Sequence, residues 1–480
     1  MPTDDRSDQA QPETRAEPNP ETSDVFTDGL SGTVDPHWVT TVIGAIGDRD
    51  RPLLRSLLAD RHPADVADLI EELSEERIRL AVNLAPDMFT GEVLAELDGE
   101  VCAIVIAQLD AKRLAQATRE LDSDDATYVL ESLDETMRAA VLEQLPARDR
   151  VAVEQGLACD AETAGRLLQR EFIAGAQFWT VGDMIDFLRA AKDDDLPDLF
   201  FEIYVVDEAF RPVGAVPVSA LVRSSRDTRL ESLMSPPQVL IRPEMDQEDA
   251  AYFFQKYHLP AAPVVDDAGR LTGVLTIDDM LDVVRDEGGE DLLALANVGE
   301  ARAKDTVARS VRARAPWLFV NLGTAICASI VIALFAETIE RAVSLAILMP
   351  IVAALGGNAG AQALAVAVRA LAARELSDQT AGRAVFREAA TGLINGVMLA
   401  GALSVIAWVW FDDERIAGVI AAAMVINLFV AGLAGVLVPL GLKKAGADPA
   451  VASSVFVLTA TDMTGFFVFL GLARLALGAG

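Results

Sequence analysis

Five long hydrophobic segments in the last third of the chain limit its fold more than any other feature. They cover residues 317–336, 342–368, 389–411, 416–442 and 449–473, and a single charge, Asp462, interrupts the last of them. An α-helix of about 20 residues crosses the roughly 30 Å hydrocarbon core of a bilayer, and backbone polar groups in lipid must be bonded within the chain. The sequence therefore predicts an α-helical membrane protein whose residues 317–480 form five transmembrane helices.

The flanking charges predict how these helices are oriented. One side of the membrane receives eleven basic residues: Arg302, Lys304, Arg309, Arg312, Arg314, Arg369, Arg374, Arg383, Arg387, Lys443 and Lys444. The other side receives only Arg341, Arg415 and Arg474. Because cytosolic flanks are enriched in Lys and Arg, we expect a multi-pass protein of the cell (inner) membrane. Its N-terminal region should lie in the cytosol and its C-terminus outside.

Charge is distributed unevenly along the chain. Residues 316–480 contain nine Lys and Arg and ten Asp and Glu, whereas residues 1–315 contain 31 and 63, a net charge of −32. A field of this sign attracts cations and repels nucleic acid, so no nucleic-acid partner is expected. Plain solubility or adaptation to salt is the alternative explanation. Residues 1–35 are polar and lack an apolar core, which predicts a disordered acidic tail.

Residue types that usually carry catalysis or redox chemistry are few and scattered. The three cysteines and three histidines do not cluster, and no CxxC pair occurs, which argues against a zinc or redox centre. No nucleophile–base set or catalytic metal motif is present either. An enzyme is therefore not expected.

A 12-residue repeat organises the first cytosolic region. Leucine recurs at 97, 109, 121, 133 and 145, and Asp98, Asp110, Asp122 and Asp134 follow the first four leucines. Aspartate is a favourable N-cap, so each repeat predicts one short helix and a turn. We expect a cytosolic helical-solenoid domain over 36–165.

A second duplication lies further along the chain. Val205-Val206-Asp207, Arg211 and Gly214 match Val264-Val265-Asp266, Arg270 and Gly273 at a constant offset of 59. This α/β pair, over 166–291, resembles tandem CBS domains, which often bind adenosine nucleotides between their repeats. The resemblance implies ATP in the CBS cleft, contacted by Thr276 and Asp279. A hairpin followed by a capped helix is the alternative interpretation.

A segment that reverses charge joins this pair to the membrane. Six acidic residues between 279 and 291 precede the five basic residues between 302 and 314. Pro316 is expected to end the helical segment just before the membrane. That leaves 292–316 as a connecting helix that could relay a signal to the membrane part.

Asp462 is the leading candidate for a functional residue in the membrane. It lies near the middle of the fifth segment, where a carboxylate is costly and usually serves an ion or proton path; a neutral, hydrogen-bonded Asp is the alternative. Ser453, Ser454, Thr459 and Thr461 add hydroxyl oxygens on the same helix. Mg²⁺ sheds water reluctantly, so oxygens acting through retained waters suit it. A two-fold dimer would bring two Asp462 side chains to one axis.

The second hydrophobic segment contains a glycine-rich motif. Pro350 precedes Gly356-Gly357-Asn358-Ala359-Gly360. Proline and paired glycines can loosen a helix and expose carbonyl oxygens where water or protein covers them. Gly356 and Gly360 also form a GxxxG pair, for which close helix packing is the alternative. The residues expected to line a pore are Gly356, Gly357, Asn358, Ser454 and Thr461.

Together these features resemble the MgtE family of magnesium channels and transporters. The motifs that carry the resemblance are His62-Pro63-Ala64-Asp65-Val66-Ala67-Asp68, the CBS pair, Pro350 with Gly356-Gly357-Asn358, and Ala447-Asp448-Pro449-Ala450 followed by Thr461-Asp462-x-x-Gly465. The resemblance implies a homodimer with the pore on its axis and hydrated Mg²⁺ at Asp462. It also implies a plug helix, at about 300–316, that shuts the pore.

The same resemblance implies that acidic residues of the cytosolic part sense Mg²⁺. The matching positions are Asp124, Asp246, Glu248, Asp279, Asp282, Glu287 and Glu290, and the last six are expected to cluster where the second CBS repeat meets the linker. Some positions depart from the family pattern: Tyr128 and His258 stand where a relative has Asp, and Ala361 and Ser454 each replace an Asn.

The favoured function is thus Mg²⁺ transport, with cytosolic Mg²⁺ closing the pore through the acidic domains and the plug helix. A transporter or exchanger for other divalent cations such as Co²⁺ or Mn²⁺ is one alternative. A membrane sensor of Mg²⁺ or nucleotide that transports nothing is another. Asp462 separates the two classes, because a pure sensor has no use for a carboxylate at mid-membrane depth.

Overall fold

The computed structural model describes residues 34–59, 61–192, 196–197, 199–296, 298, 307–376 and 378–478. Residues 1–33 of the predicted tail and residues 299–306 of the predicted plug helix lie outside the described residues. The chain divides into two compact units, the first ending at Val283 and the second beginning at Val284.

The first unit starts with ten short helices among the described residues. They are α1 (Pro36–Gly47), α2 (Arg51–Leu58), α3 (Pro63–Glu71), α4 (Glu75–Leu84), α5 (Gly91–Glu96), α6 (Gly99–Ile106), α7 (Ala111–Arg119), α8 (Ser123–Glu131), α9 (Glu135–Leu142) and α10 (Ala147–Leu157). Asp98, Asp110, Asp122 and Asp134 occupy the N-cap positions of α6 to α9. The repeated leucines face the core, with Leu97 and Leu109 fully buried. The helical prediction for this region is confirmed.

The α/β part of the first unit contains the predicted duplication. Its elements are β1 (Ala174–Ala176), α11 (Val181–Ala190), β2 (Glu202–Val206), β3 (Pro212–Pro217), α12 (Val218–Arg223), α13 (Leu230–Leu233), α14 (Gln247–Tyr257), β4 (Ala261–Val265), β5 (Leu271–Thr276) and α15 (Ile277–Leu295). In one hairpin Val205 lies opposite Gly214, and in the other Val264 lies opposite Gly273. The register of both hairpins shifts at the same place, 59 residues apart. The two repeats are thus copies of one unit.

Each repeat also completes the sheet of the other. Gln169, ahead of the first repeat, pairs with Val274 of β5, and Ser235, ahead of the second repeat, pairs with Ala215 of β3. Both pairs are joined by backbone hydrogen bonds of 2.8–3.0 Å. Because neither sheet is complete without the other's lead-in segment, the pair forms a single module.

Five long helices form most of the second unit. They are span one (α16, Val307–Ala333), span two (α18, Ser344–Ala372), span three (α19, Asp378–Phe411), span four (α20, Glu414–Lys444) and span five (α21, Pro449–Gly478), with the short α17 (Ala336–Arg341) after span one. All five are long and apolar enough to cross a membrane. The prediction of five transmembrane helices is confirmed.

The expectation for Pro316 was wrong. Pro316 lies inside span one, and the helix begins at Val307 and continues through the proline into the apolar segment. An interior proline costs about 3 kcal/mol. The proline removes only one backbone hydrogen bond, whereas ending the helix there would leave about four N–H and four C=O groups without intrahelical partners at two new termini. The continuous helix is therefore lower in free energy.

Glycines allow the backbones of neighbouring spans to approach closely. An added Cβ at Gly396 of span three would lie 3.0 Å from the Val425 Cα of span four, and one at Gly435 of span four would lie 2.5 Å from the Ala363 Cβ of span two. Small residues at such positions are typical of helix packing in membranes. Span one lies apart from this pattern, because Leu318, Phe319 and Leu322 are all more than half exposed.

Candidate metal sites

The first unit contains a strongly acidic cavity of about 290 Å³. Nine carboxylates line it: Glu96, Asp122, Asp124, Asp125, Glu171, Glu202, Asp278, Asp279 and Asp282. We call this the acidic cavity. Three of its aspartates lie at the start of α8 and three at the start of α15, about 150 residues apart in sequence. Helix N-termini stabilise negative charge, which offsets part of the repulsion between these groups.

Hydrogen bonds hold the two helix starts in place. The Gln169 side-chain amide donates to the Asp122 carboxylate at 2.5 Å, and the Ser123 hydroxyl donates to Glu171 at 2.9 Å. On α15 the Thr276 hydroxyl donates to the Asp279 carboxylate at 2.5 Å. This last bond is the one a capped helix would make. The predicted nucleotide-contacting pair, Thr276 and Asp279, thus faces the acidic cavity, where phosphate groups would be repelled.

Asp124 places a buried carboxylate oxygen in the cavity. The residue is half-buried, and its buried Oδ1 atom has no hydrogen-bond partner among the described residues. Burial, followed by the charges of Asp279, Asp125 and Asp122, raises its pKa well above the usual value. A buried acceptor without a donor costs about 1–3 kcal/mol. An oxygen of this kind is suited to a cation or to a water molecule held by one.

Two further carboxylates of the cavity share this perturbation. Burial, together with neighbouring charges including Asp122 and Glu96, raises the pKa of Asp125 to about 6. Burial raises the pKa of Asp279 to about 7, although the hydrogen bond from Thr276 lowers it. Because like charges in a low-dielectric site repel strongly, the cavity takes up protons when no cation is present.

The structure brings together only part of the predicted sensor set. Asp124, Asp279 and Asp282 line the acidic cavity. Asp246 and Glu248 lie instead at the N-terminus of α14, where Asp246 accepts from the Glu248 backbone N–H at 2.8 Å.

Glu287 and Glu290 lie further along α15, past the boundary between the two units. The expected single cluster of six acidic residues is therefore not formed within the first unit. The other carboxylates of the cavity were not predicted as sensor residues: Glu96, Asp122, Asp125, Glu171, Glu202 and Asp278.

The two departures in the cytosolic part have ordinary structural roles. The Tyr128 hydroxyl donates to the Leu97 carbonyl at 2.7 Å. His258 ends α14 in the left-handed conformation, with φ of 54°. Within the described residues, no group of three or more His, Cys, Asp or Glu side chains forms a ready-made metal site.

In the membrane part, Asp462 lies half-buried on span five, one position after the fully buried Thr461. Nearby hydroxyl groups donate to carbonyls of their own helix: Thr459 to Val455 at 2.6 Å and Thr461 to Leu458 at 2.9 Å. Their lone pairs remain available as acceptors, which is the form in which a hydroxyl faces a hydrated cation.

Span two remains helical through its glycine motif. An added Cβ at Gly357 would lie 3.1 Å from Leu458, and one at Gly360 would lie 2.7 Å from Val457 and 3.3 Å from Thr461, all on span five. Close packing is therefore what these glycines provide, and the helix is not unwound. Asn358 is exposed on the surface of this unit, and Ser454 is half-buried.

Asn427 of span four is a polar residue that sequence reasoning missed. It is fully buried near mid-span, and its side-chain amide donates to the Val352 carbonyl of span two at 3.0 Å. The amide fills the space left by two glycines, Gly356 of span two and Gly465 of span five. It therefore joins three spans at the depth of Asp462. An uncharged Asn does not interrupt a long apolar segment as a charged residue does, so the sequence offers little indication of its role. A polar residue within such a segment is nevertheless unusual.

Three family profiles match the chain. Residues 349–472 match MgtE, described as a divalent cation transporter, residues 61–161 match the MgtE intracellular N domain, and residues 230–286 match a CBS domain.

Characterised relatives are similar over almost the whole length. The magnesium transporter MgtE of Thermus thermophilus is 32% identical over 442 residues, which is 91% of this chain and 97% of the relative. The magnesium transporter MgtE of Bacillus subtilis is 28% identical over 421 residues, 87% of this chain and 93% of the relative.

A solved structure of the cytosolic domain of the Mg²⁺ channel MgtE in complex with ATP is 32% identical, with a TM-score of 0.47, and covers 51% of this chain and 99% of its own. The soluble part of a magnesium transporter is 23% identical, with a TM-score of 0.45, and covers 52% of this chain and 98% of its own.

Proposed function

The chain belongs to the MgtE family, and from that premise we propose that it carries Mg²⁺ across a membrane and closes when Mg²⁺ accumulates in the cytosol. The observation that carries the proposal is Asp462, the one carboxylate in the interior of the fifth apolar segment. It lies beside the tightly packed contact between spans two and five. A charge at that depth is retained when it serves an ion path.

The oxygen chemistry around Asp462 favours a hard, hydrated cation. A carboxylate and several hydroxyl acceptors lie on one helix, and no thiol or imidazole of the described residues forms a cluster with them. Such ligands suit Mg²⁺ better than softer ions. Because Mg²⁺ retains its inner waters, a few well-placed oxygens are enough to select it while allowing it to leave.

The pore requires a second copy of the chain. One carboxylate is a weak site for a divalent ion, and a two-fold axis would supply a second Asp462. The exposed apolar side of span one supports a homodimer in a lipid membrane, since Leu318 is 65% and Phe319 is 72% exposed in the single chain. Lipid or a partner helix must cover such residues.

The acidic cavity is the proposed sensor. Without Mg²⁺ its carboxylates repel one another and are partly protonated; with Mg²⁺ they are bridged through bound water. An ion shifts a conformational equilibrium only by binding one state more tightly than the other. Asp124, with its unpaired buried oxygen, supplies that difference in the compact state. Closure would then reach the pore through α15 and the plug helix.

The orientation follows from the charges at the ends of the spans. The basic ends face the cytosol, as the positive-inside rule requires, which leaves the acidic unit in the cytosol and the C-terminus outside. An adenosine nucleotide would occupy an adjoining cavity of about 210 Å³ between the CBS repeats, which shares Tyr204 and Ala261 with the acidic cavity. The adjoining cavity is lined by Tyr204 and Ala215 from one repeat and by Ala261 and Pro263 from the other.

The direct test is Mg²⁺ uptake into liposomes that contain the full-length protein, followed with an internal Mg²⁺ indicator. We expect uptake that rises with the inward gradient, is slowed by Co²⁺ or Mn²⁺ only at higher concentration, and stops when internal Mg²⁺ is high. Uptake that requires Na⁺ on the opposite side would indicate an exchanger. Uptake no faster than in empty liposomes would show a sensor that does not transport.

A further inference from the structure

A second cavity, in the membrane bundle, has no part in the proposed ion path. It measures about 180 Å³ and lies among the ends of spans two, three and four on the side predicted to face the cytosol. Its apolar walls are formed by Val366, Ala367, Ala370, Leu376, Ala384 and Val436, and its charged lining consists of Arg383 and Arg387 together with Glu375 and Glu388. Apolar walls beneath two guanidinium groups are suited to a molecule with an acyl part and an anionic head.

The two arginines lie at the depth of lipid headgroups. The uncharged part of span three begins at Ala389. At 1.5 Å per residue, Arg387 lies about 3 Å and Arg383 about 9 Å beyond it. The headgroup layer occupies roughly 5–8 Å on each side of the hydrocarbon. The guanidinium groups therefore bracket the level of the phosphates, whereas Val366, Ala367 and Val436 belong to the uncharged parts of their spans.

The charges around the rim leave at least one guanidinium available. Arg383 makes no ion pair with any described residue of the chain, and Arg387 lies 3.3 Å from the carboxylate of its neighbour Glu388. Only 14% of the Glu388 side chain is exposed, compared with 64% for Arg387. Glu375 lies on the exposed connection, where water screens it. Residues four apart share one helix face, so both arginines can reach one phosphate.

From this arrangement we propose that the cavity binds the phosphate of an anionic phospholipid. The guanidinium groups hold the phosphodiester by charge-assisted hydrogen bonds, and the apolar walls take the first methylene groups of an acyl chain. The lipid joins the ends of three spans and stabilises the bundle by mass action. Basic pockets between membrane helices recognise anionic lipids by this chemistry. The proposal does not depend on transport of any ion.

The test measures the lipid that remains bound to the full-length protein in detergent after exchange into equal phosphatidylglycerol and phosphatidylcholine. We expect phosphatidylglycerol to be retained preferentially and to raise the melting temperature. In the Arg383→Gln/Arg387→Gln variant, phosphatidylglycerol retention should fall about 30-fold, since each interfacial arginine contributes to anionic lipid binding. Arg341→Gln/Arg415→Gln, at the opposite ends of the spans, is the matched control and should retain lipid as the wild type does.

A second variant separates charge from shape. Ala370→Trp fills the half-buried wall and leaves both arginines in place, so it should also lose phosphatidylglycerol. Equal retention of the two lipids by the wild type, or unchanged retention in both cavity variants, would overturn the proposal. Displacement of the lipid by inorganic phosphate or glycerol 3-phosphate at similar concentration would also overturn it, because the site would then recognise a free phosphate.

Discussion

The two units of this chain differ in the number of carboxylates at their candidate ion sites. In the membrane unit a single Asp462 lies inside the fifth apolar segment, beside hydroxyls that donate to their own helix. In the first unit nine carboxylates line one cavity, and the pKa of Asp279 is raised to about 7. A conduction site must bind weakly enough to release its ion, whereas a sensor must change state when it binds. The two roles proposed for these sites would account for the difference in the number of carboxylates.

The largest effect is expected at the membrane site. Asp462→Ala should reduce Mg²⁺ uptake into liposomes to the level of empty liposomes, because no other carboxylate of the five apolar segments could replace it. Asp462→Asn should retain part of the uptake, since the amide oxygen still accepts a hydrogen bond from a hydrated ion. Uptake is measured with the internal indicator, and Glu414→Gln, at an exposed span end, is the control. Wild-type uptake by Asp462→Ala would mean that the ion path lies elsewhere.

A different outcome is expected when carboxylates of the acidic cavity are neutralised. Asp124→Asn/Asp279→Asn removes two carboxyl groups whose pKa values are raised in the folded chain. The Mg²⁺-free protein should therefore become more stable, by an amount on the order of a few kcal/mol at neutral pH. The stabilisation that Mg²⁺ gives the wild type should shrink in the same variant. Thermal unfolding of the full-length protein with and without Mg²⁺ measures both effects.

Glu76→Gln/Glu143→Gln is the matched control for this experiment, because it removes the same charge from exposed helix surfaces of the same unit. It should leave the response to Mg²⁺ unchanged. An identical response in the cavity variant and this control would show that the cavity is not a cation site.

The pH dependence follows from the direction of the pKa shifts. The pKa values of Asp125 and Asp279 in the folded chain, about 6 and about 7, lie above the usual 3.8. Their protonated forms therefore contribute stability that is fully present below about pH 4 and is lost as pH rises through 6 and 7. Without Mg²⁺ the melting temperature of the wild type should fall between pH 5 and pH 8. Saturating Mg²⁺ should flatten this decline, and a decline that Mg²⁺ leaves unchanged would contradict the sensor proposal.

The same contrast explains which parts of the molecule the sequence could predict. The spans follow from length and charge alone, because a bilayer imposes about 20 apolar residues on any helix that crosses it. The 12-residue and 59-residue repeats likewise predict local structure. The acidic cavity was only partly predicted, because Asp122 and Asp278 come together through a contact between helices about 150 residues apart. The 12-residue repeat predicted a role for Asp122 only as an N-cap.

Asn427 shows the limit in the membrane unit. Its position matters because Gly356 and Gly465, on two other helices, leave space for its amide. No periodicity of a single helix reveals such a three-way contact. Pro316 shows a related limit, because a proline does not end a helix where continuing it loses one backbone hydrogen bond and ending it would leave two sets of unpaired terminal groups.

The smallest expected effect tests whether packing at Asn427 is separate from ion binding. Gly356→Ala would place a methyl group against the Asn427 amide, which should lower the melting temperature in detergent. In the Asn427→Ala background the amide is absent, so the same methyl group should cost less, and the coupling should amount to about 1–2 kcal/mol.

Gly401→Ala, in span three where an added Cβ meets nothing within 4 Å, is the matched control and should be additive with Asn427→Ala. The stabilisation of the first unit by Mg²⁺ should be the same in all of these variants. If Gly356→Ala instead shifts the Mg²⁺ concentration that stabilises the first unit, then packing in the bundle and ion sensing are coupled. The two units would then respond to the ion as one system.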